Sequence, residues 1–161
     1  MKVLVIGHAQ HGKDTVAEML GLSFSSSSQK ALEIFLFDKL NETRSEDYRT
    51  LEEAFEDRHE NRELWHNLIA EYNTPDKTKL CRGILKDNDC YVGMRCDKEY
   101  EACKHLFDHI FWVDALSRKP RESNNSMKIK YNPKEMKFIN NNTTEENLYN
   151  IIREIRTIWG T

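Results

Sequence analysis

Nine residues near the amino end constrain this chain more than any other part of it. Gly7-His8-Ala9-Gln10-His11-Gly12-Lys13-Asp14-Thr15 has the G-x-x-x-x-G-K spacing of a phosphate-binding loop. It follows Lys2-Val3-Leu4-Val5-Ile6, a short apolar run rich in β-branched residues that reads as a strand buried on both faces. It opens onto Lys13 to Leu20, where Val16, Ala17, Met19 and Leu20 fall at helical spacing before a stop at Gly21. Glycine at each end of the loop lets the main chain curl so that its N–H groups point inward at phosphate oxygens, and the helix start adds positive potential. Lys13 can then reach the β and γ phosphates as a mobile point charge. The position after Lys13, ordinarily a Ser or Thr that helps hold magnesium, is Asp14, and the hydroxyl comes one residue later as Thr15. Both fall in the first helical turn, so Asp14 can meet the ion directly or through water while Thr15 touches a phosphate.

The rest of the chain repeats the strand-and-helix theme. Leu22 to Phe24 reads as a second strand, Ser25 to Ser28 as a loop or helix cap, and Ala31 to Leu36 as a helix. Leu51 to Leu85 is charged and amphipathic, enough for two or three helices, with Pro75 placed to start one near Asp76. Cys90 to Gly93 and His109 to Asp114 are buried-strand patterns with a crossover helix over Lys98 to Leu106 between them. Arg118 to Asn125 is a polar loop and Lys137 to Ile139 a weak strand. A last helix carries Leu148, Ile151, Ile152, Ile155 and Ile158 behind a Thr cap with Glu145 and Glu146 in its first turn. No repeat or linker divides the 161 residues, which fit one domain.

Composition narrows the function. With 24 Lys and Arg against 27 Asp and Glu the formal net charge is -3, so no global positive field gathers nucleic acid, although a local basic cleft can. Cys81, Cys90, Cys96 and Cys103 lack the close C-x2-C pairing of structural zinc sites and read as free, mostly buried thiols. The absence of a secretory signal pattern or of a long apolar run sets the expectation of a soluble, cytoplasmic protein with no membrane partner.

The Gly-Lys-Asp-Thr loop resembles that of the bacteriophage deoxynucleoside monophosphate kinases. The likeness continues through Glu56-Asp57-Arg58, then Arg62, Trp65 and His66, then Tyr72-Asn73, and then Asp89-Cys90-Tyr91-Val92-Gly93-Met94-Arg95. These blocks look like the small phage P-loop kinases, a group that includes the 5-hydroxymethyldeoxyuridine DNA kinases of thymidine hypermodification. The resemblance implies an α/β P-loop NTPase kinase fold, a parallel sheet of about five strands flanked by helices. Within it, a helical substrate-binding region would span about 45–88 and a lid-like loop about 115–126. It implies ATP and Mg2+ as cosubstrate and metal, host-cell cytoplasm as location, and an acceptor held by Arg95. The leading acceptor is phage DNA containing 5-hydroxymethyluracil, its base exposed by flipping. The alternative is a free deoxynucleoside monophosphate, which the mildly acidic charge favours. A non-catalytic ATP-binding switch, or a purely structural α/β interaction protein, stays open as a different class.

Read as chemistry, Arg95 follows a buried strand at the edge where ligands of open α/β sheets gather, and can fork onto a phosphate. Arg58 and Arg62, four apart on one helix face, either address a phosphate or pair with Glu56, Asp57, Glu60 and Glu63 on a solvated face. Phe55, Trp65 and Tyr72 fit core packing better than base stacking. Asp114, ending its strand, is a candidate for magnesium beside Asp14 and Thr15, with a turn role equally open. Ser117-Arg118-Lys119-Pro120-Arg121 resembles a nucleotide-kinase lid, with Arg118 screening the transferring phosphoryl and Arg121 a backbone contact if DNA is the acceptor. Asp38 and Asp114 are the candidates for a carboxylate orienting the acceptor hydroxyl. His8 and His11 read as local hydrogen-bonding partners.

Overall fold

The computed structural model describes residues 1–43, 48 and 50–161. Five parallel strands run in the order β2-β3-β1-β4-β5: β1 is Val3–Ile6, β2 Phe24–Ser26, β3 Cys90–Val92, β4 His109–Asp114 and β5 Lys137–Asn140. The first strand lies at the centre, between β3 and β4. Its side chains alternate between two cores, as a period of two requires. Val3 and Val5 pack with Val16, Ala17 and Leu20 of α1 (Lys13–Leu20) and with Leu148, Ile152 and Ile155 of α8 (Glu145–Trp159). Leu4 and Ile6 pack on the other face with Leu80, Cys81 and Ile84 of α6 (Lys79–Asp87) and with Tyr100 and Cys103 of α7 (Asp97–Cys103). Burial of each such side chain stabilises by about 1.5–3 kcal/mol, and the loop after Ile6 hangs from this doubly covered strand. This is the expected fold class, an α/β P-loop arrangement with helices on both faces of a five-stranded parallel sheet.

A third, smaller core belongs to the helical region. One helical run comprises α2 (Ser27–Ala31), a π-helical stretch Leu32–Leu36 and α3 (Phe37–Thr43). It packs through Leu32, Leu36 and Leu40 on Ala54 of α4 (Leu51–Glu56) and on Trp65 and Leu68 of α5 (Arg62–Tyr72). A 3-10 turn over Asp57–His59 joins α4 to α5. The expected two or three helices between Leu51 and Leu85 are three.

Several boundaries differ from the sequence expectation for identifiable reasons. The second strand runs Phe24–Ser26, not Leu22 to Phe24, because Ser25 and Ser26 take up register with Tyr91 and Val92. Ser26 then caps α2, accepting from Gln29 N–H at 3.0 Å. Pro75 does not start a helix. The Asp76 carboxylate folds the chain into a turn by accepting from the Thr78 N–H (2.9 Å) and hydroxyl (2.7 Å), so α6 opens at Lys79. The Thr cap of the last helix is Thr144, accepting from Asn147 N–H at 3.2 Å. All four cysteines are free, three of them buried. Among the described residues no helix is long and apolar enough to cross a membrane.

Candidate active site

The loop between β1 and α1 is held open by its neighbours. Gly7 (φ 152°) lies against the Val113 carbonyl of β4 and Gly12 (φ 96°) against the Asn141 amide, so a Cβ at either would collide. Gln10 between them takes a left-handed conformation (φ 63°). Asn141 secures the far side by donating to the His11 carbonyl at 2.8 Å. His11 is buried; its Nδ1 accepts from Ala115 N–H at 3.0 Å, which leaves the proton on Nε2, 3.1 Å from the Pro120 carbonyl. His8 Nδ1 accepts from Glu122 N–H at 3.1 Å. Both histidines therefore fasten the 115–126 loop to the glycine loop, the local role expected of them.

No side chain caps the start of α1, so the N–H groups of its first turn face the cleft. Lys13 is only 9% exposed and donates from Nζ to the His8 carbonyl at 2.8 Å. Burial first, and the Arg95 charge second, bring its pKa down from 10.5 to about 7. A cation in that state gains most from an incoming anion.

A cavity of about 370 Å³ extends from this loop. It is lined by Lys13, Asp14 and Thr15 on one side and by Arg58, Arg62 and Arg95 on the other. The same three arginines, with Ser27 and Ser28, also line a narrower recess of about 50 Å³ that runs back between α5 and β3 to Trp65, His66, Asn73, Tyr91 and Glu99. The two spaces thus meet at the arginines.

Among the described residues the two arginines of the helical region are not paired with their acidic neighbours. Asp57 turns inward, where it accepts from Trp65 Nε1 at 2.9 Å and Asn61 Nδ2 at 3.1 Å. Glu56 meets His59 at 3.5 Å. Among the described residues Arg58 and Arg62 have neither hydrogen bond nor ion pair, and Arg58 Nε is buried without an acceptor. The Arg58 guanidinium sits 4.0 Å above the Phe55 ring. Burial, then neighbouring guanidinium charges (Arg62 and Arg95 for Arg58, Arg95 for Arg62), lowers the pKa of both. This is crowded positive charge, which Asp14 and Glu56 offset only in part at Arg58 and Glu122 only in part at Arg62. Arg95, by contrast, is paired with Glu122.

Other expected residues stand apart. Arg118 is exposed and donates from Nε (2.9 Å) and Nη2 (2.8 Å) to the Asn141 carbonyl, away from both cavities. Arg121 is likewise exposed. Asp114 ends β4, buried, and accepts from Asn142 Nδ2 at 2.8 Å. Asp38 is exposed on α3. None of these lines the two cavities. The three aromatics serve as core. Trp65 is buried, Tyr72 stacks on Phe35 at 4.2 Å, and Phe55 meets Trp65 edge to face.

Two residues of the site escaped the sequence, and a third, His66, stood there only within the resemblance. Glu122 carries no distinguishing spacing within its polar loop, yet its carboxylate takes hydrogen bonds from Ala9 N–H and from Arg95. Burial works to raise its pKa, but the Arg95 and Lys13 charges and those bonds outweigh it and hold the group below the usual carboxylate range. Glu99 is buried, accepting from the Tyr91 hydroxyl at 2.5 Å and from Asn73, and burial pushes its pKa up to about 7. His66 lies 8% exposed in the recess; burial, then the Lys128 and Arg95 charges, keeps its pKa below the ordinary value. Among the described residues no three His, Cys, Asp or Glu side chains form a metal-holding group.

No family model matches this chain, and no curated protein does. Among solved structures it is similar to an unliganded sugar kinase from Janibacter sp. HTCC2649. The two share 14% identity over 97% of this chain and 92% of that one, at a TM-score of 0.45.

Proposed function

We propose that this protein is an ATP-dependent phosphotransferase whose acceptor is a nucleotide unit, the hydroxymethyl group of 5-hydroxymethyluracil in DNA. The observation that carries the reading is the junction of the two cavities at Arg58, Arg62 and Arg95, facing Lys13 across the cleft. Phosphoryl transfer asks a protein mainly to position two anionic partners and screen the charge between them. The glycine loop and the first turn of α1 would hold the triphosphate through main-chain N–H groups, with Lys13 ammonium on its outer phosphates. The arginines would take the acceptor's phosphate oxygens, which two unpartnered guanidinium groups support.

Magnesium fits the residues present. An ion that draws most of its ligands from phosphate oxygens and water needs only one or two protein oxygens, and the Asp14 carboxylate and Thr15 hydroxyl line the loop cavity. When bound, magnesium would neutralise charge on the transferring group. Asp114, whose Oδ2 accepts from Asn142, lines neither cavity.

The base-hydroxymethyl acceptor rests on the resemblance of the Asp57-Arg58 and Tyr91-Val92-Gly93-Met94-Arg95 blocks to the phage DNA kinases. A second reading, a free deoxynucleoside monophosphate, is favoured by the mildly acidic net charge of -3, which does not gather a polyanion. The test is γ-labelled ATP with 5-hydroxymethyluracil DNA beside plain DNA and a panel of deoxynucleoside monophosphates. Label in the modified DNA alone is the expected result. Label in a mononucleotide instead selects the second reading.

A further inference from the structure

The anion already in the glycine loop belongs to the protein itself. One oxygen of Glu122, at the wall of the recess, accepts both the Ala9 N–H of the glycine loop and the Arg95 guanidinium, while its main-chain N–H is tied to His8 of the same loop. Its side chain is 6% exposed, and its other oxygen is buried without a partner. A carboxylate with an unsatisfied buried oxygen is costly to keep. A single residue here does what a phosphate would do, receiving a loop amide and an arginine at once. It also spans both sides of the cleft.

We propose that Glu122 is an internal stand-in for phosphate: it occupies the amide nest and holds Arg95 until an incoming triphosphate expels it, so that filling the loop releases the arginine to the acceptor. This rests on the reading of the loop as a triphosphate site. Its physical basis is simple competition. The Ala9 N–H has one proton to donate, and a phosphate oxygen and the Glu122 carboxylate cannot both receive it while lying within contact of each other as like charges. Once the carboxylate leaves, the 118–126 segment loses its attachment at Ala9, and Arg95 loses its counter-ion. The two sites are then linked, since whatever displaces Glu122 also exposes Arg95.

The test uses inorganic tripolyphosphate, which probes the nest without a nucleoside. Calorimetry compares the intact chain with Glu122→Gln and Glu122→Ala, and amide hydrogen exchange follows residues 118–126 with and without the ligand. Both variants should bind tripolyphosphate at least about tenfold more tightly, as the removal of an internal competitor requires. In the unaltered chain, exchange at Glu122 and its neighbours should accelerate on saturation, whereas in Glu122→Gln it should be fast from the start. Tighter binding with unchanged exchange in the unaltered chain would refute the displacement and leave Glu122 a fixed charge. Equal or weaker binding by both variants would refute it outright. If neither the unaltered chain nor the variants bind tripolyphosphate, while Lys13→Ala behaves the same, the triphosphate reading itself fails and this inference with it.

Discussion

The two walls of the cleft are built in opposite ways. On the loop wall the polar groups are tied to the sheet's edge: His11 to Ala115 and Pro120, Asn141 to His11, Lys13 to the His8 carbonyl. On the helical wall Arg58 and Arg62 have, among the described residues, neither hydrogen bond nor ion pair; Arg58 lies in the 3-10 turn and Arg62 opens α5, over a small core of their own. The first arrangement fixes the shape of the curl before a ligand arrives, so that what a ligand must move there is the Glu122 carboxylate on the Ala9 N–H. The second gathers positive charge that nearby carboxylates offset only in part, which an anion relieves. The loop cavity, about 370 Å³, is also the roomier of the two spaces, beside a recess of about 50 Å³. A rigid wall thus faces one that a ligand completes.

Substitutions can break this contrast, beginning with the strongest. Lys13→Ala removes the cation at the heart of the rigid wall and should lower turnover on the order of 10²–10³-fold in steady-state kinetics. The paired change Arg58→Met and Arg62→Met should raise acceptor KM about ten- to a hundredfold, the loss of charge-assisted hydrogen bonds. It should leave the urea midpoint unchanged or higher, because unpaired, partly buried charge is removed. A lower midpoint with KM intact would mean the arginines hold the fold, and the contrast would be wrong.

Smaller effects sharpen it. Gly12→Ala forces a Cβ into the Asn141 amide at a left-handed φ and should cost about 1–3 kcal/mol in denaturant unfolding. Acidity supplies a second probe. Lys13 stands near pKa 7 in the free protein, and contact with phosphate favours its ammonium form. Binding should therefore take up a proton above pH 7, and tripolyphosphate affinity should fall as pH rises from 7, by at most about tenfold per unit. Folding should respond in the other sense. A lysine whose folded pKa lies below its unfolded value costs stability at pH below 7, and that cost fades as pH climbs toward 10.5. The smallest effect belongs to Gly83 in α6, where a Cβ would meet only Ile34 at an ordinary 3.6 Å. Gly83→Ala should stabilise by about 0.5–1 kcal/mol, measured by the shift in urea midpoint.

The loop wall was legible because its signals are local. Gly7, Gly12 and Lys13 stand in one short stretch between a β-branched run and an amphipathic helix, and β4 at His109–Asp114 was readable to the residue. Arg95 was placed correctly beside the loop because residues after a buried parallel strand gather at one edge. What stayed hidden depends on long-range contact. Glu122 reaches Ala9 across 113 positions, and no pattern within its own loop marks which of several polar side chains turns inward. Arg118 failed to line the cleft for the same reason: Asn141, 23 residues on, draws it away. The Arg58 question could not be decided from spacing, because it turned on Asp57 preferring the Trp65 indole to its arginine neighbours.

The most direct test of the whole reading is calorimetric titration of the intact chain and of Lys13→Ala with ATP and magnesium. A triphosphate nest beside the lysine predicts one-to-one binding by the intact chain and its loss in the variant. Indifference of both proteins to the nucleotide, or equal binding by the two, would contradict it.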